Sequence, residues 1–293
     1  MILKAVRTNK IKTGFIVTLF FIFITLFVYF LSRIFIGNIY VAATIGLSVS
    51  IISAFASYYN SDKMILSLNN ARPATREEFL QLNVSLESLC IAAGLPLPKL
   101  YVMDTPALNA FATGRNPEHA VVCVTTGLLN KLDKYELEGV LAHELSHIKN
   151  YDILLSSIAI VMVGFVTIIA DMLTHSFMWG NNRDNENKSS AIIMVIGIIF
   201  LILSPIFANL LKLAISRNRE YLADASAVEI TRNKEGLISA LTKLETQNEP
   251  MNINEATESL FIVNPLKGKK EKDSIWSTHP STKNRIARLQ AIS

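Results

Sequence analysis

The sequence predicts an α+β membrane protein, mostly helical, with four transmembrane helices and a small β-sheet in a cytoplasmic domain. Of its 293 residues, 51% are hydrophobic and 18% charged, and the mean hydropathy of +0.35 is too high for a soluble globular chain of this size. Four apolar runs reach the roughly 20 residues that a helix needs to cross a bilayer. Between them the patterning alternates between helical periods and short β-like runs, which is the mark of a folded polar block.

Residues 1–13 are expected to be a cytoplasmic N-terminus. Lys4, Arg7, Lys10 and Lys12 precede or flank the first apolar run, whereas only Arg33 lies in the turn after it, so the excess of positive charge places this end inside. The runs Gly14 to Leu31 and Ile39 to Tyr59, joined across Arg33, Gly37 and Asn38, read as a first transmembrane hairpin, residues 14–59. The first run lacks a small-residue cleavage site and leads directly into another span, so it is expected to stay as an anchor. Two crossings return residues 60–152 to the cytoplasm. Ile153 to Thr174 and Ala191 to Leu211 then form a second hairpin, residues 153–211, around the polar loop Asn181 to Ser190, with Asp171 and Pro205 interrupting the spans. Residues 212–293 return to the cytoplasmic side, in keeping with Arg217 and Arg219 just beyond the fourth run.

Within the first polar block, Thr75-Arg-Glu-Glu78 is a capping box that should open a helix carrying Phe79, Leu82, Leu86 and Leu89, closed by Gly94 and Pro96. Three β-like runs follow, at Lys99 to Met103, Leu108 to Thr113 and His119 to Thr125. Asp133-Lys-Tyr-Glu136 is a second capping box, and Leu137, Val140, Leu141, Leu145 and Ile148 continue from it with the period of an amphipathic helix.

On that helix stands His143-Glu144-Leu145-Ser146-His147. Positions i and i+4 share a face, so the two histidines can bind one metal ion, while Glu144, about 100° around, can reach a water beside it. A catalytic zinc takes three protein ligands and keeps a position open. Glu220 is the candidate third ligand, and with the two histidines it would hold one zinc ion per subunit. Asp224, one turn further on, is the candidate partner for the far nitrogen of His143. His279 and Arg285 are candidate donors to the charge that develops on a carbonyl under attack. The polar residues around the helix set its site at the cytoplasmic surface of the membrane rather than inside it.

A net charge of +4, with the basic residues next to apolar runs, gives no support to nucleic-acid binding. Cys90 and Cys123 lack metal-site spacing and are expected to be buried thiols in a reducing compartment.

The combination Asn109-Ala-Phe-Ala-Thr-Gly114, Leu141-Ala-His-Glu-Leu-Ser-His147, Glu220-Tyr-Leu-Ala-Asp224 and Thr278-His-Pro280 with Arg285 resembles the HtpX family of membrane zinc metalloproteases. The resemblance implies a gluzincin-like fold in which His143, His147 and Glu220 bind zinc and Glu144 is the general base. It implies degradation of misfolded or damaged membrane proteins in the inner or plasma membrane of a bacterium, alongside other envelope quality-control proteases. It also makes Asn109, Ala110, Phe111 and Ala112 an edge strand to which an extended substrate is added, and His279 and Arg285 contacts to substrate or oxyanion. Two other readings stand beside it: a CAAX-type prenyl-protein processing protease, whose relatives have more spans, and a non-catalytic scaffold or transporter with a structural metal site.

Overall fold

The computed structural model describes residues 2–36, 38–162, 164, 217–247, 249–266 and 280–292. Half of the expected third span, the polar loop at 181–190, the whole fourth span and His279 lie outside the described residues.

Two long helices open the chain, α1 (Ile2–Ile36) and α2 (Ile39–Leu68), folded back on one another about a turn in which Asn38 caps α2 by accepting from the backbone N–H of Tyr40 and Val41. Thr25 and Ser50 hydroxyls join the two helices at 2.8 Å, each also bonded to the carbonyl four residues earlier. Among the described residues, only the stretch Arg7–Leu26 is long and apolar enough to cross a membrane by length and composition. The expected second span has a shorter apolar core, Ala43–Ala56, and its helix runs on well past the expected end at Tyr59. The reason lies in Ile65 and Leu66, which are buried under the sheet, so the last turns of α2 belong to the folded domain rather than to a membrane.

Among the described residues the sheet has four strands, β1 (Arg72–Pro73), β2 (Lys99–Met103), β3 (Ala110–Gly114) and β4 (Ala120–Thr125), in the order β1-β2-β4-β3. β2 and β4 are parallel; the two outer pairs are antiparallel. The three expected runs are all present, within two residues of the expected starts, and β1 is an addition too short to show as a run. β3 and β4 are buried along their whole length, which is why they read as continuous apolar runs rather than alternating ones.

One face of the sheet, with Ala110, Ala112, Val122 and Val124, packs on α3 (Leu80–Ala93) and α5 (Lys134–Lys149). Its other face, with Phe111, Val121 and Cys123, packs on the end of α2 and on α6 (Asp152–Met162). Both cysteines are free and buried. Burial lifts the Cys90 thiol to about 11 and pushes Cys123 higher still, so both remain protonated and inert.

The first capping box does not open its helix. Glu78 gives its carboxylate to Arg72 at 2.7 and 2.9 Å, the Thr75 hydroxyl accepts only from the Glu78 N–H, and α3 begins at Leu80. Its close is as expected: Gly94 takes φ of 67°, a left-handed cap that lets the Leu95 N–H reach back to the Cys90 carbonyl. After the short α4 (Thr126–Lys131), the second box is complete, with Asp133 accepting from Tyr135 and Glu136 N–H and Glu136 returning to the Asp133 N–H at 2.8 Å.

The helix that this box starts, α5, is not amphipathic in the sense expected. Every residue from Gly139 to Ser146 is buried, because the sheet, α3, α7 (Arg217–Thr231) and α8 (Lys234–Gln247) surround it. Gly139 permits the α8 crossing, since a Cβ there would stand 2.8 Å from the Leu237 nitrogen. The final helix, α9 (Thr282–Gln290), closes over α7 and α8.

Candidate active site

α5 carries His143 and His147 one turn apart, with their rings edge to face, centroids 4.7 Å apart at 87°. Their Nε2 atoms stand 3.2 Å from each other. α7 brings Glu220 across them, Oε2 at 3.6 Å from His143 Nε2 and Oε1 at 3.6 Å from His147 Nε2. One ligand atom from each of the three lies within 4.8 Å of the others. Donors around a four-coordinate ion at about 2.0–2.1 Å stand roughly 3.3 Å apart, so the spacing and the nitrogen and oxygen donor set both fit a metal ion.

The far nitrogen of each histidine has a carboxylate. His143 Nδ1 lies 3.0 Å from Asp224 Oδ1, and His147 Nδ1 lies 3.0 Å from Asp152 Oδ2. A proton held on Nδ1 by such a partner leaves the Nε2 lone pair free for a metal. Burial and the charge of Arg285 push the His143 pKa down, but Asp224 and Glu220 outweigh them and it is raised. For His147 burial is likewise overcome by Asp152 and Glu220, which lift it to about 9.

Sequence spacing does not mark Asp152 as a partner of His147. It lies beyond the end of α5, five residues after His147, where no helical spacing points to it. Its other oxygen, Oδ1, accepts from Arg219 Nη1 at 3.1 Å and from the Asn9 amide at 2.7 Å.

Arg285 occupies a different place from the one expected. It is 1% exposed, with Nε and Nη2 forked onto Asp224 at 2.9 and 2.7 Å and Nη1 donating to the Ile262 carbonyl at 2.8 Å. Nη2 also lies 3.3 Å from His143 Nδ1. The guanidinium is therefore committed to the carboxylate that steers His143, not open to a bound peptide. It holds the buried Asp224 ionised: burial alone would raise that carboxyl, and Arg285 and His143 bring it down to about 2.

Glu144 is 1% exposed, and its Oε1 has no hydrogen-bond partner among the described residues. Burial raises its pKa, with Glu220 acting in the same direction against the two histidines and Arg285. That leaves a buried acceptor beside three side chains able to hold a metal ion, the setting that a general base needs.

A small cavity of about 30 Å³ opens on this cluster, lined by Ala112, His143, Glu144, His147 and Glu220 on one side and by Ser259 to Ile262 on the other. β3 is an edge strand of the sheet, but only part of its edge faces the cavity. The Ala110 carbonyl accepts from the Ile262 N–H at 3.0 Å, and the Gly114 N–H is 3.3 Å from the Ser157 hydroxyl. Asn109 is fully buried, its side chain donating to the Val263 carbonyl and accepting from the Val263 N–H, so it secures a neighbouring segment rather than meeting a substrate. Phe111 points to the opposite face, its ring 5.1 Å from Phe261 in an edge-to-face pair. Of the four expected positions, Ala112 alone lines the cavity.

The model of peptidase family M48 matches residues 76–293. The chain belongs to peptidase family M48. Within that family this M48 protease is of the HtpX type. It is 42% identical to a protease HtpX homolog of Listeria monocytogenes over 99% of both chains, and 45% identical to one of Dictyoglomus thermophilum over 99% of this chain and 94% of that one. It is 41% identical to a third, from Lactobacillus acidophilus, again over 99% of both. The M48 protease also shares its fold with S. mikatae Ste24p in a crystal structure, with a TM-score of 0.50 and 22% identity over 98% of this chain and 67% of that one. It is thus a membrane metalloendopeptidase. A non-catalytic metal protein no longer fits, and full-length likeness to the HtpX proteases leaves no ground to prefer the prenyl-processing reading.

Proposed function

We propose that this chain is a multi-pass membrane endopeptidase that binds zinc through His143, His147 and Glu220 and cleaves unfolded or damaged membrane proteins on the cytoplasmic side. The observation that carries it is the convergence of three donor atoms from α5 and α7 beside a buried glutamate whose Oε1 is unused. Zinc held there would supply a Lewis acid that acidifies water and polarises a peptide carbonyl. Glu144 Oε1 takes the proton from the attacking water and passes it to the leaving amide nitrogen, a task for which its raised pKa suits it. Asp224 and Asp152 fix the two imidazoles, and Arg285 keeps Asp224 charged and in place. An extended substrate would pair with β3 at Ala112, where the strand edge meets the cavity.

A cytoplasmic address is supported by the end of α1 that reaches the site. Asn9, flanked by Lys4, Arg7, Lys10 and Lys12, lies against the turn after His147. The site therefore sits at the basic end of the first apolar stretch, which the positive-inside rule puts in the cytoplasm.

The test uses wild type and Glu144→Gln purified in detergent with zinc. Equal zinc content, with casein cleavage by the wild type alone, is the expected result; cleavage by the Gln variant would overturn the role of Glu144. Reporter fusions after Ser61, Asn185 and Arg219 should read inside, outside, inside, and an outside signal at Arg219 would overturn the topology.

A further inference from the structure

The turn that follows the metal-binding helix, Asn150-Tyr151-Asp152, is gripped by the N-terminal helix. Asn9 is 3% exposed and spends both protons of its amide on that turn, one on the Asn150 carbonyl at 2.8 Å and one on Asp152 Oδ1 at 2.7 Å. Beside it the Lys10 ammonium stands 4.2 Å from the centroid of the Tyr151 ring. Tyr151 has φ of 58°, a left-handed conformation uncommon for a bulky side chain, which persists only where the surroundings hold it. The α1 contacts act there together with the Tyr151 N–H, which donates to the Ile148 carbonyl at 3.2 Å.

Asp152 is the junction. Its Oδ2 orients His147; its Oδ1 is shared between Asn9, from the start of the chain, and Arg219, from the residue before Glu220. Without Asn9 the carboxylate, 5% exposed, keeps one strong donor on Oδ1 and can rotate toward it, giving up the geometry that points His147. Docking a buried polar residue against the folded domain would by itself explain one hydrogen bond to the Asn150 carbonyl. The second, to the carboxylate that orients a candidate ligand, has a further consequence.

We propose that Asn9 is a positioning residue for the metal site, through which the N-terminal membrane helix sets the affinity of the enzyme for its divalent metal by fixing Asp152 and hence His147. This rests on His147 being a metal ligand.

The test is a double-mutant cycle on metal affinity. The full chain is purified in detergent in a Glu144→Gln background, which prevents self-cleavage, and its zinc dissociation constant is read by competition with a chelator. Asp152→Ala should weaken zinc by roughly tenfold or more, in line with other carboxylates that orient metal-bound histidines. Asn9→Leu should weaken it by about three- to tenfold, as should Asn9→Asp, which keeps the shape of the amide but has no N–H to give. In the Asp152→Ala chain, Asn9→Leu should add less than about twofold, because Asn9 acts through that carboxylate. Thr18→Val, on the same helix and bonded only to its own backbone, should change nothing.

Unchanged zinc affinity in Asn9→Leu, or effects of Asn9→Leu and Asp152→Ala that multiply, would overturn the proposal. So would unfolding of both Asn9 variants, judged by metal-free melting, while Thr18→Val melts normally, since Asn9 would then serve the fold alone. Failure of the ligand assignment is distinguishable: the chain with Asn9 and Asp152 intact would itself bind no zinc, and the proposal would fall with it.

Discussion

Arg285 joins three parts of the chain that sequence separation keeps apart. Its fork on Asp224 steers His143 on α5, and its remaining nitrogen fixes the Ile262 carbonyl on the segment that walls the cavity. A buried ion pair of this kind adds little over a well-packed apolar pair, but removing one partner leaves a buried charge uncompensated, at a cost of about 3–5 kcal/mol. Arg285→Ala should therefore lower the metal-free melting temperature more than the double variant Asp224→Ala/Arg285→Ala does. Arg285→Lys should recover little of the loss, because one ammonium cannot span both Asp224 oxygens and the Ile262 carbonyl. Thermal melts in detergent check both statements, and equal melting of the single and double variants would contradict the first.

Among the elements, α5 depends on Glu136 at its start. That carboxylate closes the capping box on the Asp133 N–H, accepts the Ser239 hydroxyl at 2.6 Å and pairs with Lys243 at 2.6 Å, so it fastens α5 to α8 while beginning the helix. Glu136→Ala should cost about 2–3 kcal/mol, the sum of a lost cap and a lost charge-assisted bond. Burial would raise its pKa, but Lys243, Ser239 and the Asp133 N–H lower it below the ordinary glutamate value. A depressed folded-state pKa contributes stability that is fully present above the unfolded value, about 4.3, and is lost as pH falls through the folded one. The melting difference between wild type and Glu136→Gln should accordingly be constant near neutrality and shrink below about pH 4.3; a difference that persists undiminished into acid would rule out this linkage. This box was legible in the sequence because all its partners lie within three residues. The box at Thr75 does not form because Arg72 on β1, itself held by Asp104 beyond β2, takes the Glu78 carboxylate that the box would need. Asp152 escaped sequence reading for a related reason: its link to His147 crosses the end of a helix through a left-handed residue. For Phe111 and Asn109, sequence could mark a strand but not which face of it the cavity would occupy.

For the molecule as a whole, the candidate metal site is where two separated lengths of chain meet. His143 and His147 come from residues before 165–216, and Glu220 comes from just after them, so a bound ion joins α5 to α7 by bonds rather than by packing alone. Anything that binds the folded state and not the unfolded one stabilises it by RT ln(1 + [L]/Kd), about 4 kcal/mol at a thousandfold excess over Kd. Chelation should thus lower the melting temperature of wild type, and of Glu144→Gln by the same amount, since Glu144 is not a ligand. His147→Ala should melt at one temperature with or without chelator. Binding should also release protons, because with His147 lifted to about 9 the metal-free site carries a proton at neutral pH that a ligand must shed. The folded pKa lies above the unfolded one, so this group stabilises the metal-free fold most below about pH 6.5 and loses that contribution as pH rises through about 9. Metal affinity runs the other way and should climb over the same interval. Chelator-induced shifts in melting measured from pH 6.5 to 9 would therefore widen with pH, and shifts that stayed flat or narrowed would mean that His147 is not the proton that the metal displaces.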